Sequence, residues 1–432
     1  MPTLDRAAAA HLLRRVGWGP SAAEVDALVG MDRAAAVEQV IGAAAPAVVP
    51  PPNLRRDQQW YAESDAVEWW LQRMVDTPAP LRERMTLFWH GHFCSAQDKV
   101  YDMQAMFDQQ QIFRTQGMGS FRDLTKAVAT SSAMLVYLDN ADNVKGAEQE
   151  NFARELMELF TIGIGSFTEA DVIAMAKAWT GHNIVGWNGT RIDSTYVFNA
   201  ARHDTSMKTL FGVTQNWDGP QTIDALCSGA QGDATSRFIT RKLFSFLANT
   251  TPQQSTIDAL SAAFTASSLD ITTLVRAILN HDEFWAPASR YALVKSPIDF
   301  VVSTLRRTGI AVADAGVMWN MPAMGQAPFE PPNVAGWKQN AFWISTATLS
   351  ARGKWLEYIR WRFDNGLIPG LNAMTASAAV QRIFDQFAIL DPEPATRTRL
   401  EGWFTAAKAS QWWTIDTSCL VLGALCPDWQ VM

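Results

Sequence analysis

The segment EQENFARELMELFTIG, residues 148–163, carries four polar side chains whose spacing could build a chemical site. A helix advances by roughly 100° per residue, so Asn151, Arg154, Glu155 and Glu158 fall within about a third of its circumference. Two carboxylates one turn apart can act as general acid and base, or can bind a divalent ion. The alternative is a solvated helix face on which Arg154 and Glu158 form an i, i+4 ion pair.

A second candidate group lies in ARHDTSMKTLFG, a polar segment without regular periodicity. A carboxylate beside an imidazole can fix its tautomer or raise its pKa. His203 and Asp204 are therefore candidate catalytic residues, and Lys208 is a candidate clamp for the substrate. The alternative is a turn in which these residues are chance neighbours.

The chain has six histidines, and His90 and His92 occur in RMTLFWHGHFCSA. That segment has a helical pattern, so the two imidazoles point to different faces and are not expected to chelate one ion together. His92 is followed by Phe93 and Cys94 in an apolar run, which is typical of a hydrogen-bonded core histidine. A catalytic role for His92 is the alternative.

Aromatic residues could bind a flat ligand in the segment MWNMPAMGQAPFEPPNVAGWKQNAFW, residues 318–343. Trp319, Trp337 and Trp343 are candidates for a stacking surface for a sugar, with anchoring of the segment itself as the alternative. Regular structure is not expected there, because the segment contains four prolines: Pro322, Pro328, Pro331 and Pro332. A long loop of this kind must pack against the rest of the protein, and such loops are often functional.

The composition bounds the class of protein. With 432 residues, 48% of them hydrophobic and 18% charged, the chain can build a large core and does not resemble a disordered protein. The net charge is -7, so the sequence lacks the excess of basic residues that is typical of nucleic-acid-binding proteins. The four cysteines form no CxxC pair, which argues against a zinc site and a disulfide scaffold and favours a reducing compartment.

Common catalytic and targeting templates are missing from the sequence. There is no phosphate-binding GxxxxGK, no HExxH, no GxSxG and no GxGxxG after a strand. The first residues lack a secretion signal and no stretch of about 18 apolar residues follows, so no membrane span is expected. The sequence as it stands predicts a cytoplasmic protein, or an extracytoplasmic one if a signal has been removed.

The elements that must position these residues are predicted to be mainly α-helical, in one large domain covering residues 1–432. Three segments are exceptions: a proline-rich connector at 45–53, an insert at 182–218 with a short β-hairpin or irregular structure near 190–215, and the long loop at 318–343. Thr168 and Asp171 predict a capping box. Helices are predicted near residues 5–16, 21–29, 57–76, 80–94, 103–114, 120–130, 148–162, 168–180, 219–230, 234–248, 253–266, 270–284, 296–308, 346–363, 374–386, 394–409 and 415–426.

Several segments in this order resemble the bacterial proteins grouped as domain of unknown function 1800 (DUF1800), and the resemblance spans essentially the whole chain. They are HLLRRVGWGP, FWHGHF, YLDN, ENFARELMELFTIG, FTEADVIAMAKAWTG, RHDTSMKTLFG, LVKSP, PPNVAGWKQNAFW and LCPDWQ. The family pattern often has Asn at the position of Gln149 and sometimes His at that of Phe160. Neither difference removes the carboxylates of the 148–163 segment.

The resemblance implies a mostly helical fold and a bacterial origin, but it supplies no reaction. Members of the family often carry export signals. They are often encoded beside a protein resembling the alkaline phosphatase and sulfatase superfamily, which is the functional partner that the resemblance implies. The recurrence of these motifs together also favours one shared site for the residues named above.

The first functional hypothesis is an enzyme, a hydrolase or transferase acting on a glycan or a phosphorylated compound. Its polar cleft would be formed by the 148–162 helix, His92, the 199–212 insert and the 328–343 loop. A divalent metal ion is the one cofactor that the donors suggest. Its candidate ligands are Glu155, Glu158 and His203.

In this enzyme Glu155 or Glu158 would act as general base or metal ligand, and His203, held by Asp204, as acid, base or ligand. The expected substrate-binding residues are Asn151, Arg154, Lys208, Lys295, Trp337 and Trp343. The second hypothesis is a non-catalytic helical binding or assembly protein. Its polar motifs, including Arg154 with Glu158 and the Lys295 segment, would be structural ion pairs.

Overall fold

The computed structural model describes residues 2–51, 54–186, 194–363, 367–410 and 414–432. Within these ranges the chain forms 23 α-helices and four short β-strands, which confirms the mainly α fold. The helices are α1 Arg6–Val16, α2 Ala22–Asp26, α3 Arg33–Ile41, α4 Gln59–Asp76, α5 Pro80–His92, α6 Gln97–Val100, α7 Met103–Gln116, α8 Phe121–Ala129, α9 Ser132–Tyr137, α10 Asn151–Glu158, α11 Glu169–Ala178, α12 Gly219–Leu226, α13 Gly229–Leu247, α14 Gln254–Ala266, α15 Ile271–Asn280, α16 Asp282–Trp285, α17 Pro297–Thr308, α18 Val317–Met324, α19 Thr346–Ile359, α20 Ala376–Gln386, α21 Pro394–Ala409, α22 Ile415–Leu425 and α23 Pro427–Gln430. The strands are β1 His182–Val185, β2 Thr195–Phe198, β3 Lys208–Leu210 and β4 Val213–Gln215.

Local capping chemistry sets the start of α11. The hydroxyl of Thr168 accepts a hydrogen bond from the Asp171 backbone at 3.3 Å, and the Asp171 carboxylate accepts one from the Thr168 backbone at 2.9 Å. This is the predicted capping box. The second Asp171 oxygen accepts a hydrogen bond from the Phe211 backbone at 2.8 Å, so the same side chain also holds the insert against the helix.

The helix that carries the first candidate group is shorter than predicted. The sequence predicts helix over 148–162, whereas α10 begins at Asn151 and ends at Glu158. The following turn ends at Gly163, whose φ of 76° lies in the left-handed region that favours glycine. Its backbone N–H bonds back to the Met157 carbonyl at 3.0 Å and closes the helix end.

The prediction of no regular structure over 318–343 is wrong at its start, where α18 includes Pro322. Val317, Met321 and Met324 are buried there at helical spacing, and their packing stabilises the turn that proline disfavours. Beyond Gly325, whose φ is 100°, the segment runs without further α-helix to residue 343. A short 3-10 helix at Asn340–Trp343 closes it.

The insert contains two antiparallel hairpins, which confirms the predicted β structure. In the first, β1 pairs with β2 from His182 opposite Phe198 to Val185 opposite Thr195. In the second, β3 pairs with β4. Residues 187–193, of which 190–193 belong to the predicted 190–215 hairpin, lie outside the described residues. In the 45–53 connector, residues 45–51 lack regular structure as predicted, and residues 52–53 lie outside the described residues.

The buried apolar residues form two clusters. The first gathers side chains mainly from α1, α3, α5 and α8 to α15, and the second mainly from α4, α7 and α17 to α22. Helices α5, α7 and α9 contribute to both, and Tyr137 packs against both. The single-domain organisation stays a prediction. No helix among the described residues is long and apolar enough to cross a membrane.

A buried ionic network fixes α4 against α5 and α7. The Glu83 carboxylate accepts hydrogen bonds from Arg73 Nε at 2.6 Å, Arg114 Nε at 2.7 Å and Trp70 Nε1 at 3.1 Å. Glu83 and Arg114 are almost fully buried, so each neutralises a charge on the other that would destabilise the fold if it were buried without a partner. The network holds α4 in a defined position, which matters below because α4 carries one wall of a pocket.

Candidate functional site

The polar face of α10 is tied to its neighbours by surface contacts. Asn151 Nδ2 donates a hydrogen bond to Asp139 Oδ2 at 2.9 Å. Arg154 pairs with Glu169 at the start of α11, and its Nη2 lies 3.3 Å from Glu150. The i, i+4 pair expected between Arg154 and Glu158 is replaced by these two contacts, because the guanidinium points toward α11 and the preceding turn.

Glu155 and Glu158 lie half-buried on this face, and no guanidinium among the described residues pairs with them. Burial, together with the neighbouring charge of Glu158, raises the pKa of Glu155. The pKa of nearby Tyr137 rises to about 12, chiefly because of burial and then because of surrounding negative charges that include Glu330 and Glu155. The charges of Glu155 on α10 and of Glu330 therefore both act on the surface around Tyr137.

On that surface, Glu63 of α4 and Glu330 line one pocket of about 260 Å³. Burial raises the pKa of Glu63 to about 7, with Asp98 adding to the effect. The pKa of Glu330 rises to about 8, because of burial first and then the charges of Glu63 and Asp98. The rest of the lining is largely apolar and includes Val67 and Met321. Two carboxyls in one apolar pocket thus titrate near neutral pH.

A tight turn positions Glu330. The Glu330 backbone N–H bonds to the Ala327 carbonyl at 3.2 Å, and Phe329 between them has a φ of 66°. Such a conformation is uncommon for a bulky residue and persists where packing enforces it. Phe329 is fully buried against Trp70, its N–H donates to His90 Nε2 at 3.1 Å, and its carbonyl accepts from the Gln97 backbone at 2.9 Å.

Exposed aromatic rings cluster around Trp60 at one wall of the pocket. Trp60 lines the pocket and is 45% exposed, and Trp319 of α18 is 73% exposed, with ring centroids 5.2 Å apart. Tyr61, also exposed, lies 5.1 Å from Trp60. Neighbouring large rings left in solvent mark a surface that can bind a ligand by stacking.

His92 and His90 occupy different faces of α5, as predicted. His92 Nε2 bonds to the Phe160 carbonyl at 3.0 Å, and its Nδ1 lies 3.2 Å from Lys242 Nζ. Both ring nitrogens are therefore engaged inside the core. Burial, followed by the Lys242 charge, lowers the pKa of His92 well below its usual value. These contacts are those of a core histidine, and the catalytic role of His92 stays a prediction.

The His203 segment forms a compact turn against the end of α11. His203 Nδ1 bonds to the Thr180 carbonyl at 2.8 Å, so a backbone oxygen, and not Asp204, fixes the tautomer. Asp204 instead accepts a hydrogen bond from the Ser206 backbone at 2.6 Å. Lys208, buried beneath them, donates to the backbone oxygens of Asp204 at 2.6 Å and Ser206 at 2.9 Å. Each side chain thus has a local partner.

The remaining predicted residues line other cavities. Trp337 and Trp343 contribute to a pocket of about 40 Å³, and Trp337 also contacts the His90 ring at 5.5 Å between centroids. Lys295 is 5% exposed and lines a separate cleft of about 300 Å³. The structure therefore distributes the predicted substrate-binding residues over more than one surface.

The candidate metal ligands do not assemble into a coordination group. Among the described residues, no set of three or more His, Cys, Asp or Glu side chains is arranged to hold a metal ion, so Glu155, Glu158 and His203 do not form one. The four cysteines are free and buried. Burial raises the pKa of Cys94 to about 12, which keeps this thiol protonated.

Glu63, Glu330 and Trp60 were not among the residues predicted from the sequence. One signal was present in α4, where Trp60, Glu63 and Val67 recur at helical spacing and place an acid between apolar residues. Glu330 lies in the 318–343 segment, whose length indicated function. No local pattern connects two residues so far apart in the chain.

Comparison with known proteins places the chain in a family. The model of a family described as "Protein of unknown function (DUF1800)" matches residues 11–431, essentially the whole length. No curated protein matches the chain, and no solved structure does. The chain belongs to the DUF1800 family.

Proposed function

We propose that the protein is an enzyme that hydrolyses or transfers glycans by acid–base catalysis, with Glu63 and Glu330 as the catalytic carboxyls. The observation that carries the proposal is the placement of both side chains in the wall of one pocket of about 260 Å³. Their pKa values of about 7 and about 8 support it. At neutral pH such a pair holds one proton, so one carboxyl can donate while the other accepts.

In the proposed reaction the protonated carboxyl is assigned to Glu330, whose pKa is the higher of the two. Glu330 donates its proton to the glycosidic oxygen as the bond from that oxygen to the anomeric carbon breaks. Ionised Glu63 accepts a proton from the attacking water, or from a sugar hydroxyl in transfer, as the new carbon–oxygen bond forms.

The charge of the surface selects the substrate class. Asp98 and Glu155 lie close enough to Tyr137 for their negative charges to raise its pKa, and ionised Glu63 adds a negative charge in the pocket, so a phosphorylated compound would meet repulsion. A neutral, hydroxyl-rich ligand avoids this cost. The exposed rings of Trp60 and Trp319 offer the stacking faces that sugar rings use. These features favour the glycan over the phosphorylated alternative.

The acidic face of α10 extends the same proposal. Glu155 and Glu158 would bind sugar hydroxyls beyond the pocket, since neither is paired with a guanidinium from the part of the chain that the structure describes. His203, Asp204 and His92 each form a hydrogen bond with a neighbouring backbone group. These bonds favour a role in positioning α11 and α5 over a role in proton transfer.

A second candidate function is favoured by the ion pairs themselves. Arg154 bridges Glu150 and Glu169, and Lys208 is satisfied by backbone oxygens, as expected of a non-catalytic binding or assembly protein with structural polar motifs. In that protein the pocket carboxyls would have no catalytic use. The two functions therefore differ in what neutralising Glu63 or Glu330 does.

The test is release of reducing ends from a panel of oligosaccharides, both unmodified and phosphorylated, by the wild type, Glu63→Gln and Glu330→Gln. Glu68→Gln is the matched control, because Glu68 lies on α4 outside the pocket. We expect wild-type and control activity on unmodified substrates and a loss of about 10²–10⁴-fold in the pocket variants. Release that is equal in all four proteins, or absent from wild type on every oligosaccharide, would reject the proposal. Thermal melting of each variant separates catalytic loss from unfolding.

A further inference from the structure

A second cleft, of about 300 Å³, lies where the first helix, the start of α17 and the C-terminal residues meet. Three of the segments that carry the family resemblance line it, namely HLLRRVGWGP, LVKSP and LCPDWQ. Its walls include the apolar side chains of Trp18, Phe387 and Trp429. The Phe387 and Trp429 rings lie 5.0 Å apart, and Trp429 Nε1 is anchored to Thr304 Oγ1 at 3.2 Å.

Lys295 lies in this cleft, and only 5% of the residue is exposed to solvent. Its Nζ sits over the Trp429 ring, 3.1 Å from the centroid. Within the part of the chain that the structure describes, the Nζ forms neither a hydrogen bond nor an ion pair. A lysine ammonium has three donors, and leaving them unpaired in an apolar site is costly.

The neighbouring carboxylate is engaged elsewhere. Asp299 accepts hydrogen bonds from Trp18 Nε1 at 3.0 Å and Ser296 Oγ at 2.8 Å, and it forms an ion pair with Arg84. It is therefore not a dedicated counter-ion for Lys295. This arrangement differs from a structural buried lysine such as Lys208, which has three oxygen partners within 3.1 Å.

Burial favours the neutral form of Lys295. It is the largest cause that lowers the pKa of this amine well below the usual value, and the charge of Arg14 adds to it. Asp299 and Cys426 act in the opposite direction, and Arg352 adds a smaller lowering effect. A lowered pKa increases the fraction of an amine that carries a free lone pair, which is the nucleophilic form.

We propose that Lys295 is a nucleophilic amine that condenses with the carbonyl group of a small, largely apolar aldehyde or ketone bound in this cleft. The nitrogen attacks the carbonyl carbon, and the carbonyl oxygen leaves as water with the two hydrogens of the amine, which leaves an imine. No oxidant or reductant is consumed. The aromatic walls fit an apolar body of modest size, and the acidic rim residues Asp391 and Glu393 disfavour an anionic one.

The experiment uses the full chain with benzaldehyde as the probe and cyanoborohydride to reduce any imine to a stable benzylamine. Peptide mass mapping at about pH 7 then gives the rate of labelling at each lysine. We expect Lys295 to be labelled about ten-fold faster than the exposed Lys338, because each unit of pKa lowering gives ten times more free amine. The fast label should disappear in Lys295→Met and persist in Lys338→Met.

Mapping on the wild type alone can overturn the proposal, so the test does not depend on the stability of Lys295→Met. If exposed lysines react while Lys295 remains unmodified, the amine is not an accessible nucleophile. An adduct pattern that is unchanged in Lys295→Met leads to the same conclusion. Since this cleft and the Glu63–Glu330 pocket share no lining residue, failure here leaves the glycan proposal unaffected.

Discussion

Neutralising Glu330 should make the protein more stable at alkaline pH. The side chain is held in an apolar pocket beside Glu63, and its pKa is raised to about 8 from an ordinary value of 4.5. In Glu330→Gln the amide can still accept the hydrogen bond that the Asp98 backbone gives to the carboxyl. The substitution therefore removes the charge while it keeps the shape and the main polar contact.

The direction of this change in stability follows from the difference in proton binding between the folded and the unfolded protein. Between pH 4.5 and about 8 the folded protein holds the Glu330 proton while the unfolded chain has released it, so the free energy of unfolding falls as the pH rises through this window. The full shift would correspond to several kcal/mol, and solvent screening of this half-buried group reduces the effect to about 1–3 kcal/mol. Glu330→Gln should thus exceed the wild type by about 1–3 kcal/mol near pH 9 and match it near pH 4.5.

The assay is urea denaturation followed by tryptophan fluorescence at both pH values. Glu169→Gln serves as a control in which the pKa shift has the opposite direction. In the wild type, the hydrogen bond from Arg154 lowers the pKa of the Glu169 carboxyl. This control should gain no stability at alkaline pH. A difference between Glu330→Gln and the wild type that is the same at both pH values would refute the account of a carboxyl pair that titrates near neutrality.

Three further outcomes are expected. Trp319→Ala should weaken oligosaccharide binding by about 1 kcal/mol in calorimetry with little change in the melting temperature, because the ring is 73% exposed; unchanged affinity would remove it from the site. Glu83→Gln should lower the free energy of unfolding by about 3–5 kcal/mol in urea titrations, because Arg114 and Arg73 would keep buried charges with a weakened partner; a loss below about 1 kcal/mol would contradict the role of this network. Dialysis against a chelator should leave glycan hydrolysis intact, because the proposed step moves protons between carboxyls; loss that added divalent ions restore would redirect the search to the metal ligands predicted from the sequence.

Features set by neighbouring residues could be predicted from the sequence. The capping box of Thr168 and Asp171 is an interaction between a side chain and the nearby backbone, so its residues identify it. The separate faces of His90 and His92 follow from helical geometry alone. Strand β2 of the insert follows from the alternating residues of TYVFNA.

Features set by packing could not be predicted in this way. Pro322 argued against a helix, yet the burial of Val317, Met321 and Met324 stabilises α18. His203 and Asp204 are adjacent in the sequence, but the backbone of Thr180 reaches the imidazole from another element.

The pocket is a long-range feature of the same kind. Glu63 lies on a helix fixed by the Glu83 network, and Glu330 lies on a turn fixed by the burial of Phe329. The sequence drew attention to the 318–343 segment that carries Glu330, but not to Glu63 on α4. Only the tertiary structure brings both carboxyls to one cavity and shifts their pKa values.

The most direct test of the central claim is the pH dependence of kcat/KM for glycan hydrolysis by the wild type and Glu63→Gln. The account predicts a bell-shaped wild-type profile with limbs near pH 7 and pH 8, because Glu63 must be ionised and Glu330 protonated. In Glu63→Gln the residual activity should lose the acidic limb. A wild-type profile that is flat across this range, or one that Glu63→Gln leaves unchanged in height and shape, would contradict the assignment of the carboxyl pair as acid and base.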